Sequence, residues 1–354
     1  MNIKDNPLYK EDIESVLKLN CDFSKLKGKS VLITGATGLI GSYLVDMLVL
    51  LSERFCLNLI LYLVSRQKGN FTEKNGDVFI HYIKCDFSTD ELTGKLPETH
   101  DIDFIFHLAS TTHPLAYSKQ PVETIMINVN GTRELLELCS RNNHCRFILA
   151  SSVEVYGDDR ERLSEGFSET DFGYLDCNTS RSCYSEAKRL CESLCHAYKA
   201  EKNCDVVIAR IARSFGASLK KDDSKVLSQF LQKGTNGENV VLKSDGSQYF
   251  SYAYVSDVAT ALIFCMLNGH NGEAYNVADR NSNVHLKDLA GIVAERCGVK
   301  VVFELPAQEE KEGYSKSVHA ILNPNKLNSI GWKARVGIAE GIKRTIEIMR
   351  GMRG

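Results

Sequence analysis

Val31-Leu32-Ile33-Thr34-Gly35-Ala36-Thr37-Gly38-Leu39-Ile40-Gly41 is an apolar strand that runs straight into three glycines set three residues apart. It reads as a dinucleotide-binding loop. Gly35 permits a tight turn out of the strand, Gly38 keeps a side chain out of the pyrophosphate's place, and Gly41 lets the next helix pack close to the sheet. A pyrophosphate then sits at the N-terminus of the helix beginning near Leu39, where free N–H groups and the helix dipole favour an anion. Thr37, Leu39 and Ile40 complete the wall of that site. A glycine triplet also fits an ordinary strand–turn–helix corner. Here the strand before it and the amphipathic run Leu44, Val45, Leu48 after it favour the cofactor.

Two further stretches add chemistry. Tyr184-Ser185-Glu186-Ala187-Lys188 sets a phenol and an ammonium one helical turn apart on one face. Ser151-Ser152-Val153-Glu154-Val155-Tyr156-Gly157 follows the apolar strand Phe147-Ile148-Leu149. A serine at the carboxyl end of such a strand lies on the sheet edge where α/β proteins bind ligands. A lone Tyr–Lys pair is more often a solvated face. Glycine loop, strand-end serine and Tyr–Lys pair, in this order, point to one shared site.

Apolar strands alternate with helical runs from Ser30 to about Ala212, at 31–34, 57–64, 79–85, 104–108, 147–151 and 206–210. That alternation predicts an α/β fold with a doubly wound parallel sheet, a Rossmann-type dinucleotide-binding domain over residues 28–212. The polar segment 1–27 holds a short amphipathic helix from Asp12 to Leu19, expected to be a lid or a dimer contact. Beyond Phe215 the texture changes to loops and short elements. Residues 213–354 are expected to form a smaller α/β substrate lobe, with 252–266 returning to the main body.

The composition, 43% hydrophobic and 25% charged over 354 residues, is that of a globular protein. A net charge of −2 argues against a nucleic-acid partner. No apolar run approaches the ~18 residues of a membrane span, and Met1 to Pro7 lacks the apolar core of a signal peptide. A cytoplasmic enzyme without a membrane partner is expected. The twelve cysteines contain no Cys-x-x-Cys pair and read as reduced apolar filler. Cys191 and Cys195 share a helical face but lack the four ligands of a structural zinc site, so no metal is expected.

On these motifs the chain resembles the extended short-chain dehydrogenase/reductase family, over roughly Lys29 to Met266. Within it the chain is similar to UDP-glucuronate decarboxylases. The matching stretches are His107 to Ser110, Ser151 to Gly157, Ser182-Cys183-Tyr184 through Lys188-Arg189, and Tyr254-Val255-Ser256-Asp257. The resemblance implies cofactor contacts at Asp86, Phe87, Leu108, Ala109, Ser110, Asn128, Tyr184 and Lys188, with Asn128 also steadying the sheet behind the site. It implies substrate contacts at Ser110, His113, Ser152, Glu154, Arg181, Arg213, Lys225 and Phe250. Tyr184 is then the general base, Lys188 its electrostatic helper and Ser152 its orienting partner. Glu154 takes the place of an acid–base glutamate for chemistry at C5 and C6 of a sugar. Arg181 matches an arginine suited to a substrate carboxylate.

The second strand ends Leu63-Val64-Ser65-Arg66, with no acid for the ribose hydroxyls of NAD. Ser65 and Arg66 suit a 2′-phosphate, so NADP is expected, with NAD the alternative. Several residues depart from the resembled pattern. Val153 replaces a polar residue, Arg213 replaces an asparagine, and Phe250 stands where a diphosphate-binding arginine is usual. Arg213 is expected to stand in for that arginine from the opposite wall. Three readings follow: a decarboxylase-like modifier of a nucleotide-activated sugar working through a 4-keto intermediate, an NADP-dependent reductase or epimerase of a related substrate, and a non-catalytic dinucleotide sensor. Ile125, Val129, Leu135, Leu136, Leu190 and Leu194 exceed what one face of each helix needs, predicting a homodimer through the helices after Pro121 and around Tyr184.

Overall fold

Strand β1 (Ser30–Thr34) is buried along its whole length, as a strand must be when helices cover both faces of its sheet. Its side chains alternate, with Val31 and Ile33 in one core and Leu32 in the other. The structure, a computed structural model, describes residues 2–69, 74–96, 101–112, 114–142, 144–158, 165–219, 223–304 and 319–352. The further strands are β2 (Ile60–Ser65), β3 (Lys74–Asn75), β4 (Val78–Lys84), β5 (Phe104–His107), β6 (Arg146–Ser152) and β7 (Asp205–Ile211). They are followed by β8 (Arg213–Phe215), β9 (Val240–Leu242), β10 (Tyr249–Tyr254), β11 (Glu273–Val277), β12 (Asn283–His285), β13 (Val301–Phe303) and β14 (His319–Ala320). The principal helices are α1 (Pro7–Glu14), α2 (Leu39–Phe55), α3 (Pro114–Lys119), α4 (Pro121–Arg141), α5 (Cys183–Lys202), α6 (Val226–Thr235), α7 (Val255–Asn268) and α8 (Leu286–Cys297).

The main sheet runs β11-β7-β6-β5-β1-β2-β4-β3, parallel throughout except for the short β3 at its edge. Strand order reverses between β1 and β5, so the carboxyl ends of these two strands open a crevice between diverging crossovers. This is the doubly wound sheet that the alternation predicts. One strand starts later than expected: the apolar run 57–64 becomes extended only at Ile60. Cys56 caps α2 in the left-handed region and Asn58 is left-handed too (φ 50° and 53°), so the chain is still turning there.

The N-terminal segment also differs from expectation. Asn6 Oδ1 accepts the N–H groups of Leu8 and Tyr9, and Pro7 occupies the first helical position, so α1 begins well before Asp12. From Ser15 to Lys18 the chain tightens into a 3-10 turn. The segment is not a lid. Tyr9, Ile13 and Val16 are buried in the core. Buried Asp12 accepts hydrogen bonds from Tyr254 (2.5 Å) and Arg344 (2.9 Å), tying α1 to β10 and to the C-terminal helix Ile338–Gly351. Burial nevertheless pushes the Asp12 carboxyl up to about 6, against the pull of those donors.

A smaller sheet carries the second wall of the crevice. Within it β10 pairs with β12, β14 and β8, and β9 and β13 form a separate two-stranded sheet. Helix α7 is buried from Val255 to Leu267 and packs against α2, and β11 then joins the main sheet beside β7. The return to the main body thus continues past Met266 to Val277, while Tyr252–Tyr254 stay in the small sheet. Helices α4 and α5 pack on one another within the chain. Leu135 and Leu136, expected at a subunit contact, are spent on the core instead. The apolar side chains these helices leave exposed are Val122, Ile125, Met126 and Leu190, with Val129 and Leu194 half-buried. Among the described residues no helix is long and apolar enough to cross a membrane.

Candidate active site

At the reversal point a side chain joins the two strand ends. Thr34 Oγ1 accepts the N–H groups of Leu108 (3.2 Å) and Ala109 (3.1 Å) and pairs with His107 Nδ1 (2.8 Å). Burial lowers the His107 imidazole to about 3, so this link is neutral at ordinary pH. Gly35 then turns with φ +71°, and a Cβ there would lie 3.0 Å from both Ala109 N and Leu108 C. A Cβ on Gly41 would collide with Gly35 O and Ala36. Gly38 is different. It caps α2 with no side-chain bond, and its Cβ would meet only Gly35 O, at 3.1 Å. Gly38 and the first-turn residues Leu39, Ile40 and Gly41 all line the cleft. This cradle fits the pyrophosphate of NAD(P).

The cleft has a volume of about 1210 Å³, above the ~300–1,000 Å³ usual for one small ligand. It has room for a cofactor and a second molecule. Gly35, Thr37, Gly38, Leu39, Ile40, Gly41, Ser65, Arg66, Asp86, Phe87, Leu108, Ala109 and Ser110 line one arm. Ser152, Glu154, Arg181, Tyr184, Lys188, Arg213, Lys225 and Phe250 line the remainder. Two residues named from sequence are not on this wall. Asn128 is buried behind it, accepting from Ser110 Oγ (2.9 Å) and donating to Thr124 O (2.8 Å), so it steadies the loop after β5. His113 lies outside the described residues.

Helix α5 begins at Cys183, which puts Tyr184 and Lys188 one turn apart on its buried face. Lys188 Nζ donates to Ala150 O (2.9 Å) and stands 5.9 Å from the centre of the Tyr184 ring. Burial pushes Lys188 down and Tyr184 up, with a hydrogen bond to Ser152 working against the rise of the phenol. Ser152 Oγ itself is fixed by the Glu154 N–H (3.2 Å), in the 3-10 turn Val153–Tyr156. Glu154 accepts from Arg181 Nη2 (3.3 Å) and Ser185 Oγ (3.1 Å). Burial works to raise its pKa, but the charges of Arg181 and Arg213 and the Ser185 bond outweigh this and hold it below the usual carboxylate range. An uncharged phenol and a charged carboxylate therefore flank one space.

Three supports were not named from sequence. Tyr117 stacks on Tyr184 (centroids 4.9 Å apart), and the Arg181 guanidinium lies 5.0 Å over its ring. Ser185, inside the Tyr–Lys motif, was legible as a residue but not as the partner of Glu154. Behind the strand end, Arg210 and Glu192 form a buried pair (2.7 Å). Glu192 accepts from Ser151 Oγ (2.5 Å), and Arg210 donates to the Tyr156 hydroxyl (3.0 Å). Nothing in the local sequence marks partners so far apart along the chain.

Residues 31–278 match the NAD dependent epimerase/dehydratase family, and the chain belongs to it. It is therefore an enzyme of the NAD(P)-dependent short-chain dehydrogenase/reductase class. UDP-glucuronic acid decarboxylase 4 of Arabidopsis thaliana is 31% identical over 92% of this chain and 70% of its own length. UDP-glucuronic acid decarboxylase 1 of Danio rerio is 29% identical over 90% and 72%. Among solved structures, the UDP-glucose 4-epimerase of Thermotoga maritima with UDP-glucose superposes with a TM-score of 0.79, at 23% identity, over 92% of this chain and 100% of that one. MoeE5 in complex with UDP-glucuronic acid and NAD superposes with a TM-score of 0.74, at 26% identity, over 91% and 99%.

The glycine loop yields a direct test. Gly38→Val is expected to leave the thermal unfolding midpoint nearly unchanged and to abolish NAD(P) binding in calorimetry, because the added methyls fill the cleft. Unchanged affinity in the folded variant would place the pyrophosphate elsewhere.

Proposed function

We propose that this enzyme modifies a nucleotide-activated hexuronate through a 4-keto intermediate, in the manner of UDP-glucuronate decarboxylases. The observation that carries the reading is the packing of Glu154, Arg181 and Ser185 against the Ser152–Tyr184 pair. A plain hydride-transfer site needs the pair alone. A carboxylate with an adjoining guanidinium adds the means to hold an acidic sugar and to move a second proton. The similarity to relatives named as UDP-glucuronic acid decarboxylases supports the same substrate class.

Gly35 to Gly41 would hold NAD(P), which when bound in its oxidised form would supply a hydride acceptor and a positive charge. Tyr184 takes the proton of the 4-hydroxyl, and Lys188 favours the phenolate this requires. Ser152 fixes the oxygen between them. With a ketone at C4 the C6 carboxylate is a β-keto acid. Its C5–C6 bond breaks to release carbon dioxide, the electron pair passing to the C4 oxygen. Tyr184, now protonated, stabilises that oxygen. Glu154, kept anionic, takes a proton from solvent and passes it to C5, the carbon that the carbon dioxide has left.

NADP is the proposed cofactor. Ser65 Oγ donates its proton to Gln67 O (2.7 Å), which leaves Arg66 as the partner for a 2′-phosphate. Arg66 is exposed on the cleft rim, and the β2 end carries no acid to repel a phosphate. The enzyme is proposed to act in the cytoplasm, where its twelve free cysteines stay reduced. It is proposed to be a homodimer through the exposed Val122, Ile125, Met126 and Leu190.

Three measurements check these proposals. Glu154→Gln is expected to allow the first hydride transfer and to slow the later step ~10²–10⁴-fold, with reduced cofactor and a keto product accumulating. Tyr184→Phe is expected to leave the cofactor oxidised. Wild-type turnover by Glu154→Gln would favour a reductase or 4-epimerase, a reading also suited by apolar Val153 on the cleft wall. Arg66→Ala is expected to weaken NADP about tenfold, as an exposed charged contact does, and NAD hardly at all. Equal losses, or a wild-type preference for NAD, would overturn the NADP assignment. Light scattering at micromolar concentration is expected to give the mass of two chains, and a monomer would refute the dimer.

A further inference from the structure

Ser65 ends β2 and Lys84 ends β4, and the two stand in register across these neighbouring parallel strands. Residues in register project to the same face of a sheet. The pair two turns of the pleat earlier, Leu61 and Ile80, identifies that face, because both lie in the core that Leu44 and Leu48 of α2 cover. Lys84 therefore leaves the sheet on the α2 side, at the carboxyl end, where α2 begins and the glycine loop opens on the cleft. Lys84, Arg66 and Gln67 line that cleft beside Ser65. Lys95 fixes the end of β4, since its Nζ donates both to Lys84 O (3.0 Å) and to Asp90 (2.7 Å).

This rim is positive. Arg66 and Lys84 are both exposed, and among the described residues neither side chain has a hydrogen-bond or ion-pair partner. The acids that follow β4 are engaged elsewhere. Asp90 is paired with Lys95, and Asp86 Oδ1 accepts from Ser88 N (3.1 Å) and Ser88 Oγ (2.8 Å). A solvated lysine at a strand end needs no partner. This one is set apart by its register with Ser65, because the end of the second strand is where a dinucleotide fold meets the adenosine ribose. Ser65 itself is engaged with Gln67 O, so Arg66 brings a single charge. A phosphate monoester carries about −1.5 to −2 charges at pH 7, which one guanidinium does not balance.

We infer that Lys84 is the second cation of the NADP site, meeting the 2′-phosphate from β4 while Arg66 meets it from the end of β2. The inference rests on the NADP reading above. The two cations differ in kind. The guanidinium offers a fixed fork to two oxygens, and the ammonium is a point charge on a flexible stem that follows the phosphate. NAD presents only a neutral hydroxyl at this place, so Lys84 contributes to the choice between the two cofactors and not to holding the dinucleotide.

Calorimetry on the full chain tests this with NADP and NAD, and with 2′,5′-ADP and 5′-AMP as probes of the adenosine end alone. Lys84→Gln is expected to keep the wild-type unfolding midpoint and to weaken NADP and 2′,5′-ADP about three- to tenfold. NAD and 5′-AMP are expected to bind as before. Lys84→Arg is expected to retain the wild-type preference, because a cation remains on β4. The fall in NADP affinity between about 0.05 and 0.5 M salt is expected to be shallower in Lys84→Gln than in wild type, as one screened charge has gone. Unchanged affinity for NADP and 2′,5′-ADP in Lys84→Gln overturns the inference, as does an equal loss for NAD and 5′-AMP. If Arg66→Ala loses NADP selectively while Lys84→Gln does not, the NADP reading stands and the role of Lys84 falls. A wild type that prefers NAD overturns both.

Discussion

The hydroxyl of Thr34 accepts two backbone N–H groups from Leu108 and Ala109, the residues that follow β5. At a strand-order reversal the two chains leave in opposite directions, and the last backbone bond between them is a long one, from the Leu108 N–H to Thr34 O (3.3 Å). The side-chain oxygen extends the tie by one residue, to Ala109. With the loops tied, Gly35 has to turn within 3.0 Å of the backbone at Leu108 and Ala109. That turn aims the start of α2 into the crevice, and the cofactor cradle follows from it. Replacing Thr34 by an apolar residue of the same shape would take its acceptor from the half-buried Ala109 N–H.

A second constraint lies behind the reacting groups. The Arg210–Glu192 pair is buried and bidentate, and its spare valences go to Ser151 and Tyr156. Those residues bracket Ser152 and Glu154 in the chain. The pair therefore locks the end of β6 and the turn after it as one unit. Buried ion pairs often add little net stability. This one holds Ser152 and Glu154 at a defined separation, which a greasy contact would do less well.

The site separates the protonation of its groups by environment. Tyr184 is buried among rings and a thiol, so its phenol holds its proton. Glu154, equally enclosed, sits between guanidiniums and loses its own. Two adjoining groups are thus held in opposite protonation states at a single pH.

Motifs confined to a few residues were legible from sequence because their chemistry is local. The glycine loop, the strand-end Ser152 and the Tyr184–Lys188 turn each depend on spacing within one strand or one helical turn. The alternation of apolar runs likewise announced the parallel sheet, since strands buried on both faces must be apolar throughout. What the chain order could not reveal was the partner of each group. Glu154 with Ser185, Arg210 with Glu192, and Asp12 with Arg344 are joined only when strands and helices pack. Leu135 and Leu136 look like spare apolar surface along a helix, yet the sheet claims them. Arg213 read as a cation from across the cleft, whereas the pairing of β8 with β10 sets it beside Phe250. Periodicity determines which face of an element is apolar. Which neighbour covers that face, and which charge is left without a partner, is decided by tertiary packing.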